Sequence, residues 1–156
     1  MKSLALLLIL LTSSLSAMAA KPLCYQQEIH PHTGKVFQSQ QEYEGFLADW
    51  SRQEPPPANP FSLMKAYGIY NREKAVSLSL GNDKTAHCYL GCRISMDVNL
   101  KTAIYVGWLK EQRDITDCNR SSRFETADYN ATVHGAEMGT SLRSAEECQR
   151  ACKQTY

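Results

Sequence analysis

Four side chains of this 156-residue sequence carry a pattern that suits catalysis: His87, Glu111, Asp114 and Asp128. An imidazole set beside a carboxylate is either held in one tautomer or stabilised once protonated, and both states serve a general acid or base. Water activation is the simplest reaction such a pair performs. Glu125 and Asp128, three residues apart, add carboxylates on one helix face, with His134 further along. Neutral histidine with several carboxylates also suits a divalent cation such as zinc or manganese that keeps open positions for water. The HExxH ligand signature is absent, so the cofactor stays open. No Gly-x-Ser-x-Gly elbow, P-loop or dinucleotide fingerprint occurs.

These residues need helices to position them. His87 lies in Asp83-Lys84-Thr85-Ala86-His87-Cys88-Tyr89-Leu90-Gly91-Cys92, and its expected partner is Ala103-x3-Gly107-x3-Glu111 with Asp114 one turn on. A helical glycine costs roughly 1 kcal/mol against alanine, so Gly91 and Gly107 mark a close backbone approach. With a tight turn between them the two helices form an antiparallel hairpin. If they cross at the glycines, His87 and Glu111 are displaced in the same direction and face each other, with Asp114 near the same end. A plainer reading competes. A buried His/Glu pair can simply satisfy polar groups in a small core, while Glu125 and Asp128 favour a helix N-terminus.

The cysteines set the frame. Six of them (Cys24, Cys88, Cys92, Cys118, Cys148 and Cys152) make an even set, which in an exported chain pairs into up to three disulfides. Cys88-x3-Cys92 and Cys148-x3-Cys152 each put two sulfurs one turn apart on a helix face. Antiparallel helices would join Cys88 to Cys152 and Cys92 to Cys148, leaving Cys24 for Cys118; a rival scheme pairs Cys118 with a helical cysteine. Four thiolates around zinc fit an oxidising compartment poorly. Full pairing would leave no cysteine free as a nucleophile.

Export is read from residues 1–19: Lys2, the apolar run Leu4 to Leu11, and Ala17-Met18-Ala19 are the parts of a secretory signal peptide. Residues 20–156 are then one disulfide-stapled domain, periplasmic or secreted. The apolar run is shorter than the roughly 18 residues of a spanning helix, so no membrane span is expected. Lys21-Pro22-Leu23 before Cys24 lacks the small residues of a lipid-modified cysteine. Composition is that of a globular chain, 43% hydrophobic and 21% charged. With 17 Lys and Arg against 16 Asp and Glu there is no basic field for phosphates, so nucleic acid is excluded as an expected partner.

The expected architecture is mainly α, a single-domain bundle of about five or six helices behind an irregular N-terminal arm. In the arm, His30-Pro31-His32-Thr33-Gly34 marks a turn. Ser39 with Glu42 caps a helix to about Arg52, with Tyr43, Phe46, Leu47 and Trp50 as its apolar stripe. Asn59 and Pro60 open a second helix, whose Phe61, Met64, Tyr67 and Tyr70 read as core. Asn82 or Asp83 caps a third helix to about Asp97, and Asn99 a fourth to about Asp114. A fifth spans about Ser122 to Glu137, and Ser144 with Glu147 opens the last through Cys148 and Cys152. Gly135-x3-Gly139 reads as a helix end.

The pattern Asp83-x3-His87-Cys88-x3-Cys92, then Gly107-Trp108-x2-Glu111-x2-Asp114, then Asp128 before Gly135, resembles a small helical domain of bacterial exported proteins, including the C-terminal ends of polymorphic toxins. The resemblance covers about residues 82–139. It implies a bacterial exported protein in which His87, Glu111, Asp114 and Asp128 line one site, and it supplies no reaction. The leading expectation is an envelope-directed hydrolase with a His/carboxylate site. The alternative is a non-enzymatic periplasmic binder of a protein partner (an inhibitor, immunity or adaptor protein), with an exposed apolar patch at Trp50, Tyr67 or Tyr70 and no cleft at His87.

Overall fold

The computed structural model describes residues 24–119 and 122–156; the expected signal peptide lies outside them. A 3₁₀ turn at Cys24–Gln26 and one isolated bridge between Ile29 and Val36 make up the arm. Six α-helices follow among the described residues: α1 (Gln40–Ser51), α2 (Pro60–Leu78), α3 (Asp83–Asp97), α4 (Leu100–Thr116), α5 (Thr126–Gly139) and α6 (Ala145–Thr155). The mainly α, disulfide-stapled architecture stands as expected.

Local chemistry explains where the helices begin. Ser39, Asn59, Asn82, Asn99 and Ser144 each accept a hydrogen bond from the backbone N–H three residues on, satisfying a donor that the first turn leaves open. Helix α5 differs. Its N-cap is Glu125, which makes no side-chain cap bond, and the helix starts at Thr126 rather than near Ser122.

The double bolt forms in its antiparallel arrangement, Cys88–Cys152 and Cys92–Cys148, and Cys24–Cys118 ties the arm to the end of α4. Beneath the arm an aromatic cluster holds Phe37, Tyr43, Trp50, Trp108 and Phe124, with the Trp50 and Trp108 rings stacked 6.1 Å apart. The α1 stripe is therefore core. The α2 stripe is not: Phe61, Met64 and Tyr67 are 78%, 71% and 68% exposed, while Ser62, Ala66, Ile69, Glu73 and Ser77 turn inward. Small residues and a network explain that choice. Glu73 accepts hydrogen bonds from Tyr89 (2.7 Å) and Arg93 (3.2 Å), which hold α2 against α3 by polar contacts that no apolar periodicity announces.

The α3 and α5 helices lie closest of all. A Cβ on Gly135 would come 1.9 Å from the Cys88 carbonyl oxygen, one on Gly139 2.3 Å from that of Cys92, and one on Gly91 2.2 Å from that of Thr132. Cys88 opposite Gly135 and Cys92 opposite Gly139 means that the two helices run parallel, so both N-termini lie at one end. This corrects the expected crossing. Gly91 and Gly107 do not meet each other; both close on Thr132 of α5, Gly107 through the threonine methyl at 2.7 Å from its would-be Cβ. Gly139 does end α5, as expected of a helix end, but it and Gly135 are also packing positions.

Candidate functional site

Because α3 and α5 are parallel, their first turns bring Asp83, Lys84 and His87 beside Glu125, Asp128 and Thr132. The C-terminal half of α4 supplies Lys110, Glu111 and Asp114 from the other side. Except for Lys84 and Glu111, these residues line a cleft of about 1020 Å³ that runs on between α2, α3 and α4.

His87 is the centre of the arrangement. Its Nδ1 lies 3.2 Å from Thr132 Oγ1, and that hydroxyl already donates its proton to the Asp128 carbonyl at 3.0 Å. Thr132 Oγ1 must therefore accept, which puts the imidazole proton on Nδ1 and leaves the lone pair on Nε2. Nε2 stands 3.8 Å from Asp83 Oδ1 and 3.8 Å from Asp128 Oδ2. Both separations are too long for a direct hydrogen bond and suit an atom held in between.

Charge is distributed unevenly around that point. Burial pushes the His87 pKa down to about 4, with Asp83 opposing the shift and Lys110 and Lys84 adding to it, so the ring is neutral at physiological pH. Burial also raises Asp128 to about 6, against the hydrogen bond from Lys84. Lys84 Nζ sits 2.7 Å from Asp128 Oδ1 and also pairs with Glu125, leaving Asp128 Oδ2 to face the histidine. Burial likewise raises Asp114, although its ion pair with Lys110 works the other way.

Glu111 does something other than expected. No hydrogen bond or ion pair joins it to His87 among the described residues. Its side chain has no exposed surface, Oε2 accepts the Glu125 backbone N–H at 2.9 Å, and Oε1 has no partner. Burial raises its pKa to about 8, which keeps it protonated at neutral pH. Glu111 thus anchors the start of α5, the turn that carries Asp128, in place of a cap. The pairing expected for Glu111 belongs instead to Asp128 and Asp83.

Of the expected site residues, His87, Asp114 and Asp128 line one cleft and Glu111 lies under it. His134 is elsewhere, 3.4 Å from the Tyr156 hydroxyl. Asp83, Lys84 and Thr132 complete the site and were not singled out as site residues. Asp83 had a signal, since it stands four residues before His87 on the same helix face. Thr132 stands four after Asp128. Nothing local marks Lys84, whose partners are on another helix.

Asp83, His87 and Asp128 each offer a ligand atom, and these lie within 4.8 Å of one another. One imidazole and two carboxylates with open positions are a donor set for zinc or manganese. The Lys84 ammonium already neutralises part of Asp128, so a cation would share that carboxylate with it. No helix among the described residues is long and apolar enough to cross a membrane, and three disulfides suit an oxidising, extracellular or periplasmic environment. The chain matches no family model, and no curated protein or solved structure matches it.

Proposed function

We propose that the protein is an exported hydrolase in which His87 takes a proton from a water held between its Nε2 and the carboxylates of Asp83 and Asp128. The observation that carries this reading is the lone pair on Nε2, fixed by Thr132 and aimed 3.8 Å from two carboxylate oxygens at the edge of a cleft. Such a water donates one proton toward Nε2 and the other toward a carboxylate, which leaves its oxygen electron-rich toward the cleft. Asp128 then stabilises the imidazolium that forms, and Lys84 keeps Asp128 ionised. Lys110, held by Asp114 on the α4 wall, supplies positive charge where an oxyanion would develop. A cation bound by Asp83, His87 and Asp128 would lower the pKa of the same water. The resemblance to bacterial exported domains and the disulfides support an envelope or extracellular substrate.

The experiment is a hydrolysis screen of the oxidised chain on ester and amide substrates, with His87→Gln and Asp128→Asn beside it. Loss of at least about a hundredfold in kcat for His87→Gln, with the circular dichroism and melting curve retained, supports the reading. Unchanged turnover sinks it. Activity that disappears on chelation and returns with zinc or manganese assigns the water to a cation; activity that survives assigns it to His87 alone.

The binder reading draws on a different observation, the exposure of Phe61, Met64 and Tyr67 on α2. Of the residues expected to form its patch (Trp50, Tyr67 or Tyr70), Trp50 is buried, and the cleft at His87 that it did not expect is present. It predicts a partner whose capture is lost on changing α2 and is indifferent to His87→Gln.

A further inference from the structure

The N-terminal arm is pinned at both ends, at Cys24 by its disulfide to Cys118 and at Phe37 by the aromatic cluster. Between the pins, in residues 25–36, only Glu28 is buried, at 2% exposure. No backbone hydrogen bond ties these residues to a helix among the described residues, so side chains seat them: Tyr25 and His30 on the aromatic cluster, and Glu28 below. That last seat suits a protonated acid and not a carboxylate. Oε1 of Glu28 has no hydrogen-bond partner, and the neighbouring Tyr43 hydroxyl of α1 donates to the Ile115 carbonyl instead. From α4, Asp117 and Asp114 face it, and the positive charge acting on it is the exposed Arg123 guanidinium just before α5. Burial, then Asp117 and Asp114, push the Glu28 pKa up to about 7, with Arg123 opposing. Once ionised, Glu28 is an unpaired charge out of water, and it is relieved by moving into solvent.

We propose that residues 25–36 are a tethered flap latched by Glu28, seated while that carboxyl carries its proton and lifting into water as it ionises. The disulfide and Phe37 keep both ends in place, so the flap opens without leaving the molecule. Lifting withdraws a carboxyl from beside Asp114 and Asp117, which line the cleft, and so couples the acidity outside to that wall of the site. The flap does not depend on the hydrolase reading. In a lifted flap Glu28 returns to its ordinary value of 4.5, so the seat is fully held below that pH and loosens as pH rises toward 7.

The test is hydrogen exchange of the oxidised chain, read at the His30 and Gly34 amides, which bond to the Lys35 and His30 carbonyls inside the flap. Their protection relative to an unstructured peptide should fall about a hundredfold from pH 4.5 to pH 8. Amides of α3 behind the double bolt report global unfolding and should stay better protected throughout. Glu28→Gln keeps the shape and removes the ionisation, so its flap should hold one protection across the range. Asp117→Asn removes the strongest like charge on Glu28 and should raise protection at pH 8 about threefold, with none gained at pH 4.5. A Glu28 that only filled space would not respond to Asp117→Asn. Protection that is constant with pH in the natural chain, or that falls equally in Glu28→Gln, overturns the flap. Equal protection of flap and α3 overturns it as well, because the arm then opens only when the whole domain does. Should Glu28→Gln fail to fold, Asp117→Asn decides alone, and unchanged protection at pH 8 counts against the latch.

Discussion

Helices α3 and α5 touch in two regions that are built on opposite principles. Along the seam at Cys88, Cys92, Gly135 and Gly139 the backbones meet with no side chain between them, and two disulfides lock α3 to α6 behind it. Toward the N-termini, the same pair of helices encloses His87, Asp128, Lys84 and Glu125, and burial holds the imidazole of His87 and the carboxyl of Asp128 away from their ordinary pKa values. The first region tolerates no added atom. The second keeps charged groups in a place where apolar side chains would be more stabilising. The contrast teaches that the seam carries the stability that lets the other end keep a strained electrostatic arrangement.

The sharpest way to break the contrast is Gly135→Ala. Its new methyl would sit on the Cys88 carbonyl, which belongs to a helix backbone bolted to α6 and cannot step aside. Loss of more than about 5 kcal/mol is expected, enough to abolish the cooperative transition in urea. A small, fully cooperative change would mean that the seam is looser than its contacts.

Disulfide removal is expected to separate the bolts by topology. Cys24→Ala/Cys118→Ala opens a loop that nothing else closes and should cost about 5 kcal/mol on chain entropy. Cys88→Ala/Cys152→Ala opens only the short loop left by Cys92–Cys148, and about half as much loss is expected. Thermal melts of the two variants test the ranking. Gly107→Ala comes next, at about 1–3 kcal/mol, because its methyl meets the Thr132 side chain rather than backbone. A crowded Thr132 would also disturb the His87 tautomer, so this variant should lose activity in excess of its loss of stability.

Much of this architecture was legible in the sequence, for identifiable reasons. Caps such as Asn82 and Asn99 act within three residues, and the bolted cysteines announce themselves by a one-turn spacing, so local reading finds both. The seam was only half legible. Gly91 and Gly107 signal close approach, but a glycine does not say to what, and the partner, Thr132, is dozens of residues away on α5. The same gap hid the role of Glu111, whose contact is a backbone N–H at an uncapped helix start. It also misplaced Phe61, Met64 and Tyr67, because α2 docks through Ala66, Ile69 and the Glu73 network instead of its largest apolar side chains.

The polar region should reveal itself in the pH dependence of stability. Glu111 is raised to about 8 and Glu28 to about 7, each chiefly by burial. A carboxyl raised in the fold binds its proton more tightly when folded. Its stabilisation is complete below the unfolded value of about 4.5 and is lost as pH rises through the folded value. His87 has the opposite sign: it is lowered, so its contribution is present above about 6.5 and lost as pH falls through 4. Between about pH 4.5 and 6.5 the two carboxyls lose more than the histidine gains, so stability is expected to be greatest near pH 4.5 and to fall toward pH 9 by a few kcal/mol. Glu111→Gln preserves the acceptor for the Glu125 N–H and removes the titration. Melting temperatures across this range should flatten on the alkaline side for this variant, and an unchanged slope would show that Glu111 is not the group responsible.

The smallest effect on the fold, and the most informative about the site, is expected from Lys84→Met. Its side chain is about a third exposed, so losing its ion pairs with Glu125 and Asp128 should cost only about 1 kcal/mol. The consequence for Asp128 is larger. Burial already raises that carboxyl to about 6 and Lys84 restrains the rise, so without the lysine it moves higher still. Activity that needs ionised Asp128 beside neutral His87 should increase with pH around a midpoint near 6 in the natural chain. In Lys84→Met that midpoint should move toward alkaline pH, with the limiting rate at high pH nearly kept. A variant that lost stability without moving the midpoint would place Lys84 with the seam as a structural clamp. A moved midpoint on an unchanged melting curve would place it with the chemistry, and would show that the parallel start of α3 and α5 is held by Glu111 and the glycines rather than by its own charges.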